Sequence, residues 1–298
     1  MNLEQRKKRI DKIFTNWKLL KVNDLMVSYS LPLKLKKELL RNIKLYISKA
    51  LDFDFIDNDN KFMEKVEKFR NNRKNVTPNG AVVPKREFHL EYNLVLRTWV
   101  QIVKKITEKN KSLLKLFRMT PNIRIKFGKE LEDNLDRGLS TSIPHSDAWV
   151  EGPYGMNCFV PLIGDSENNN LVYYEPKEFD ERFLEVSETY NDMQWVLKNY
   201  EKINFIPQKG NVYISDYALL HNSFRNPNCE SRVSIDTTIF VGDHLPHPDR
   251  LKEYRDLIPE IGTQEFIDAG QSENDNPAEK KSTFSHYTSG SLKTHKLY

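Results

Sequence analysis

The sequence predicts an α+β protein in which a helical first part packs on an antiparallel β core. Three observations predict it. Apolar residues recur at helical spacing over roughly the first 120 positions. From Pro121 onward, short apolar runs alternate with Gly, Asn, Asp and Pro, the pattern of an antiparallel barrel or sandwich. The chain of 298 residues is long enough to bury a core without disulfides or structural metal. At about 150 residues per domain, that length fits two domains or one barrel with a helical cover.

In the first part, Leu35, Leu39, Leu40, Ile43, Ile47 and Leu51 form an apolar stripe, with Lys34, Lys36, Lys37, Arg41 and Lys44 on the other face. A second long helical pattern runs over residues 92–117, and Pro32 and Pro84 punctuate the region. The lysine-rich faces read as solvated helix surfaces, because aromatic residues do not interleave with the charges as a strand-binding groove requires. Strands are expected at 157–162, 171–174, 211–215 and 233–241. A polar insertion near 177–202 interrupts them. Its Phe183, Val186, Tyr190, Met193, Trp195 and Val196 suggest a helical excursion or a flap over one end of the barrel. The expected organisation is a helical layer over 1–120, a β core over 121–245 within the same domain, and a partly disordered extension over 246–298.

Composition excludes several functions. Lys+Arg of 46 against Asp+Glu of 42 leaves +4, spread along the chain, so no nucleic-acid partner is expected. Two cysteines, Cys158 and Cys229, fit a reducing compartment and cannot build a cysteine zinc or iron–sulfur site. No apolar segment follows the basic N-terminus and none is long enough to span a bilayer; a cytoplasmic protein with no membrane partner is expected. The glycine patterns of nucleotide cradles and the serine-hydrolase elbow are absent from the sequence.

Two segments carry chemistry. Pro144-His145-Ser146-Asp147-Ala148-Trp149 places an imidazole and a carboxylate two residues apart, which on a strand share one face. Leu219-Leu220-His221-Asn222 offers a second imidazole just after an expected strand. Two imidazoles and a carboxylate can occupy one face of an octahedral ion and leave three positions open, an arrangement that suits non-haem Fe(II). Eleven residues after His221, Arg232-Val233-Ser234 puts a guanidinium and a hydroxyl on one face of the next strand. That pair suits the distal carboxylate of 2-oxoglutarate, whose 2-oxoacid end would chelate iron.

With these residues in place, the stretch of roughly 122–242 resembles the non-haem Fe(II)/2-oxoglutarate-dependent dioxygenases. The matching segments are His145-Ser146-Asp147-Ala148-Trp149, Met156-Asn157-Cys158-Phe159-Val160-Pro161-Leu162, Asn170-Leu171-Val172-Tyr173-Tyr174-Glu175-Pro176, Pro207-Gln208-Lys209-Gly210-Asn211-Val212, Leu220-His221 and Arg232-Val233-Ser234-Ile235-Asp236. Within that superfamily the pattern looks like the phytanoyl-CoA-type, streptomycin-biosynthesis-type and carbohydrate-cluster branches. The resemblance implies a double-stranded β-helix (jelly-roll, cupin-like) core with His145, Asp147 and His221 as iron ligands and Arg232 with Ser234 as the 2-oxoglutarate anchor. It also implies O2 as co-substrate, release of succinate and CO2, and hydroxylation of a small-molecule substrate. One departure is Gly210-Asn211 where the family often has Gly-Asp, a turn position outside the chemistry. Asp147 speaks against the halogenase variants, which vacate that ligand.

Further candidates are Asn157, toward the co-substrate, and Trp149, Tyr154, Tyr174 and Arg137, toward substrate. Arg124 and Lys126 read as surface ion-pair residues, and Arg225 as a turn residue that competes with Arg232 for the carboxylate role. His244 and His247 flank Pro246 and read as loop histidines without metal. The expected substrate is a small polar molecule such as a sugar, an amino acid or a natural-product intermediate. Desaturation, epimerisation or cyclisation at the same site, and a non-catalytic cupin-like binding protein, are the alternatives; homo-oligomerisation is left open.

Overall fold

The computed structural model describes residues 1–72, 74–118, 120–128, 138–246 and 254–255. Arg137, His247 and nearly all of the expected C-terminal extension lie outside these residues. Helix α1 (Leu3–Trp17) opens with a capping box, in which Asn2 and Gln5 each accept from the other's backbone N–H at 2.9 Å. Strands β1 (Leu20–Asn23) and β2 (Met26–Ser30) form a hairpin. Helix α2 (Leu33–Leu51) buries Leu39, Ile43, Tyr46, Ile47 and Ala50 along one stripe, packed on α4 (His89–Thr107), while the short α3 (Asp59–Glu67) packs on β5 (Met156–Gly164). The other strands are β3 (Leu114–Arg118), β4 (Asn122–Lys126), β6 (Asn169–Pro176), β7 (Tyr200–Lys202), β8 (Asn211–Asp216), β9 (Leu220–Arg225), β10 (Arg232–Val241) and β11 (Tyr254–Arg255).

Among the described residues, eight strands form one sheet in the order β1-β2-β8-β5-β10-β3-β11, with β4 also paired to β10. Three form a second sheet, β7-β6-β9. Every pairing is antiparallel. Successive segments alternate between the sheets: β4 in the large one, His145 bridged to β9 in the small one, β5 large, β6 and β7 small, β8 large, β9 small, β10 large. That alternation is a double-stranded β-helix, and the fold is α+β as expected.

The two-residue period decides what each layer sees. On the large sheet, Ile123, Ile125, Cys158, Val160, Leu162, Val212, Ile214, Val233, Ile235 and Ile239 pack against the helices. The alternate residues face the small sheet, where Phe159 and Tyr213 meet Tyr173 of β6. The inner surface is therefore a mixture of aromatic and polar side chains, and it carries the site.

Two sequence expectations need correction. The 92–117 helical pattern ends at Thr107, and Leu114–Arg118 is a strand paired with β10. The region before 120 also supplies β1 and β2, because β2 completes the large sheet beside β8. The insertion is built from short 3-10 segments, Glu181–Leu184 and Tyr190–Asn199, before β7. No described helix is long and apolar enough to cross a membrane.

Candidate active site

His145, Asp147 and His221 converge, each offering a ligand atom within 4.8 Å of the others. His221 lies on β9, and His145 pairs with it through reciprocal backbone hydrogen bonds of 2.9 Å. The two-residue strand argument for His145 and Asp147 does not hold. The chain leaves extended geometry after that single bridge, and Asp147 is helical (φ −64°, ψ −16°) at the start of α5 (Ala148–Glu151). Ser146 makes this bend. Its hydroxyl donates to the Tyr217 carbonyl at 2.7 Å and accepts from the Ala148 N–H at 3.0 Å. The helix start is thus capped by Ser146, and Asp147 caps nothing, so its carboxylate is free to face His221, with Oδ2 3.9 Å from Nε2.

Hydrogen bonds orient the ligands. His145 Nδ1 lies 2.8 Å from the Ile143 carbonyl, which only accepts, so Nδ1 carries the proton and Nε2 keeps its lone pair. Asn157 donates to Asp147 Oδ2 at 2.6 Å. Burial lowers both imidazoles below the usual histidine value; repulsion from His221, Lys126 and Arg124 adds to this at His145, whereas Asp147 and Asp236 oppose it at His221. Burial likewise pushes the Asp147 carboxyl up, against the pull of His221 and Asn157. Desolvation opposes charge on all three, and a bound cation is what would reverse that balance.

A second cluster lies on the inner face of β10. Arg232 is fully buried, with Nη1 donating to Asn170 Oδ1 at 3.0 Å and its guanidinium 5.2 Å above the Phe159 ring. Among the described residues no carboxylate pairs with it, and burial pushes it down to about 10. Its Nε, the Ser234 hydroxyl two residues on and the Tyr173 hydroxyl are all buried without a hydrogen-bond partner. Tyr173 pairs in register with His221 and feels the Arg232 charge, so it stands between the two clusters. Orphaned donors around an unpaired guanidinium call for an anion.

The other candidates are dispersed. Asn157 is on the inner face of β5, its amide committed to Asp147 and its Oδ1 unpartnered. Trp149 does not line the mouth of the site: it is fully buried, packs edge-on against Phe183 and donates to that residue's carbonyl at 3.1 Å. Tyr154 stacks on His244, with ring centroids 4.6 Å apart, and packs on Leu116 and Phe240. Tyr174 points to the opposite face of β6 from Tyr173, its hydroxyl 3.3 Å from Asn222. Arg124 does form an ion pair, but a half-buried one inside the fold: it forks onto Asp236 of β10, which Asn122 also holds at 2.9 Å. Buried Lys126 donates to Thr141. Arg225 lies on β9, not in the turn, and reaches Ser142 at 3.3 Å.

Tyr173 is not singled out by the sequence because the choice between it and its neighbour Tyr174 depends on register. Once β6 is aligned to β9, alternation alone selects Tyr173 as the inward residue.

No protein-family model and no curated protein matches the sequence. Among solved structures, the chain is similar to AviO1 from Streptomyces viridochromogenes Tue57, at 14% identity and a TM-score of 0.46, over 80% of this chain and 98% of that one. It is also similar to SnoN, a non-heme alpha-ketoglutarate-dependent epimerase from nogalamycin biosynthesis, at 12% identity and a TM-score of 0.43, over 78% of this chain and 81% of that one. A third similarity is to an N-substituted L-amino acid dioxygenase from Burkholderia ambifaria AMMD, at 11% identity and a TM-score of 0.39, over 74% and 84% of the two chains.

Proposed function

We propose that the protein is an Fe(II)- and 2-oxoglutarate-dependent dioxygenase that hydroxylates a small polar molecule. The observation that carries this reading is the buried, unpaired Arg232 with orphaned Ser234 and Tyr173 hydroxyls, on the inner surface that also holds His145, Asp147 and His221. Two neutral imidazoles and one carboxylate fit one face of an octahedral Fe(II). Bound there, the ion would supply dioxygen activation coupled to decarboxylation of 2-oxoglutarate to succinate and CO2, one oxygen atom entering succinate and the other the substrate.

The chain's own residues bind and orient. Arg232 offers a planar fork to the distal carboxylate of 2-oxoglutarate, with Ser234 and Tyr173 donating beside it. Asn157 fixes the Asp147 carboxylate, and the Ile143 carbonyl keeps His145 Nε2 unprotonated toward the ion. Trp149, Phe183, Tyr190 and Met193 form an apolar wall that excludes water on the triad's outer side. Next to the triad, the Arg124–Asp236 fork and Asn122 give the inner surface a polar floor suited to a sugar, an amino acid or a natural-product intermediate.

Anaerobic titration of the metal-free protein with Fe(II), then 2-oxoglutarate, tests the reading. A weak visible metal-to-ligand charge-transfer band is expected, lost in His145→Ala and in His221→Ala. Arg232→Ala is expected to weaken 2-oxoglutarate binding while iron still binds. Iron binding without the band would overturn the 2-oxoglutarate assignment. No iron binding at all would leave a binding protein of the same fold.

A further inference from the structure

The insertion between β6 and β7 reads from sequence as a helical excursion or a flap, and it is tied to the ligand segment at several points. The Tyr190 ring lies against the His145 imidazole, with centroids 4.3 Å apart and planes within 18°. Gln194 donates to the Pro144 carbonyl at 2.9 Å and to the Tyr190 carbonyl at 2.8 Å. The Ser187 N–H donates to the Trp149 carbonyl at 2.9 Å, and Trp149 donates to the Phe183 carbonyl at 3.1 Å. The Tyr190 N–H itself donates to Gly138 at 2.8 Å. Residues 144–149, which carry two of the three candidate ligands, are thus gripped from outside by 183–194.

His145 needs such a grip. Its Nδ1 bond to the Ile143 carbonyl fixes the tautomer and the direction of one ring edge. A single hydrogen bond in the ring plane still lets the imidazole rock about that contact. A parallel ring on its face removes this freedom, and the tilted His221 ring, with its centroid 4.4 Å away, crowds it further. Tyr190 is itself held by Trp149, with ring centroids 6.0 Å apart, and is only 5% exposed. Groups that orient a ligating histidine tune metal affinity although they never touch the ion.

We propose that Tyr190 is a positioning residue for the metal centre, its ring stacking on His145 to hold Nε2 in line, and that the insertion is a fixed wall of the site. This rests on the metal reading above. The test uses Co(II) alone as probe, following affinity and the visible ligand-field spectrum, with circular dichroism of the metal-free protein to report folding. Tyr190→Phe keeps the stack and is expected to match the wild type in affinity and spectrum. Tyr190→Leu is expected to bind Co(II) about tenfold or more weakly, with an altered spectrum. Gln194→Ala, on the half-buried flank, is expected to show a smaller loss in the same direction, and it decides the matter if Tyr190→Leu does not fold.

A folded Tyr190→Leu with wild-type affinity and spectrum would overturn the proposal. So would equal losses in Tyr190→Phe and Tyr190→Leu, which would place the effect on the hydroxyl. If Tyr190→Leu does not fold, an unchanged Gln194→Ala would overturn it. If wild type binds Co(II), His145→Ala does not, and Tyr190→Leu matches wild type, this inference fails alone. If the wild type does not bind Co(II), the metal reading fails and takes this inference with it.

Discussion

Asn157 holds Asp147 through one hydrogen bond of 2.6 Å and leaves its own Oδ1 unpartnered. Replacing it by Leu removes the contact that orients the carboxylate. Metal affinity in Asn157→Leu is expected to fall about tenfold or more, read by Co(II) titration. At Arg232, Lys substitution keeps the positive charge and loses the planar fork. Arg232→Lys is therefore expected to retain metal binding and to weaken 2-oxoglutarate binding, measured by anaerobic calorimetry on the iron-loaded protein. His145, Asp147, His221, Arg232 and Ser234 could be singled out from sequence as candidates because chelation and carboxylate pairing require particular side-chain types, although the strand spacing argued for His145 and Asp147 is not the one the fold uses. Tyr173 and Tyr190 could not, since a tyrosine in a core strand or a packed insertion ordinarily only packs. What distinguishes these two is the register of β6 on β9 and the path of the insertion, both set by non-local pairing.

At the scale of elements, β8 and α1 meet in a buried charge cluster. Arg6 and Arg9 of α1 both bind Asp216 at the end of β8, Arg6 at 2.8 Å, and all three side chains are buried. The same arginines reach the Pro153 and Tyr154 carbonyls at 2.8 and 2.7 Å. One helix thus ties down the turn before His221 and the turn after Asp147. Gly155 lets the second turn close on Tyr217, because a Cβ there would stand 2.4 Å from its ring. Burial alone would raise the Asp216 carboxyl; Arg9 and Arg6 more than reverse this and hold it below the usual 3.8. A folded value below the unfolded one gives stability that is present above 3.8 and lost as pH falls through and below it. Asp216→Asn is expected to cost about 3–5 kcal/mol by leaving two buried arginines without their carboxylate. Its urea-unfolding stability between pH 5 and 3 is also expected to fall less steeply than the wild type's. Trp149→Ala is expected to cost about 3–5 kcal/mol from core packing, seen as a lowered urea midpoint. The short turn at 145–148 was not legible because Ser146, not Asp147, caps α5, and which of two adjacent polar residues caps depends on a carbonyl 71 residues away.

Across the whole molecule, fold class followed from the helical period in α2 and α4 and from short apolar runs between turn residues at β5, β8 and β10, which are local and can be read from a window. Sheet order is not local: β2 beside β8 and β3 beside β10 join residues more than 100 apart in sequence, so the early strands read as loop or helix. Deleting residues 1–18 would strip both arginines from Asp216. The deletion is expected to destabilise the entire β core, measured as a lowered thermal midpoint for the triad-bearing strands and the helices together. The Arg6–Asp216 contact spans 210 positions, which also bears on the chain's biosynthesis. Arg6 leaves the ribosome 210 residues before its carboxylate, and Arg9 207 residues before it. Until then the α1 arginines lack their carboxylate and β2 lacks its partner β8. Residues 3–30 therefore complete their contacts only after Asp216 has been made, and a product truncated before Asp216 would be a ready client for chaperones and proteases.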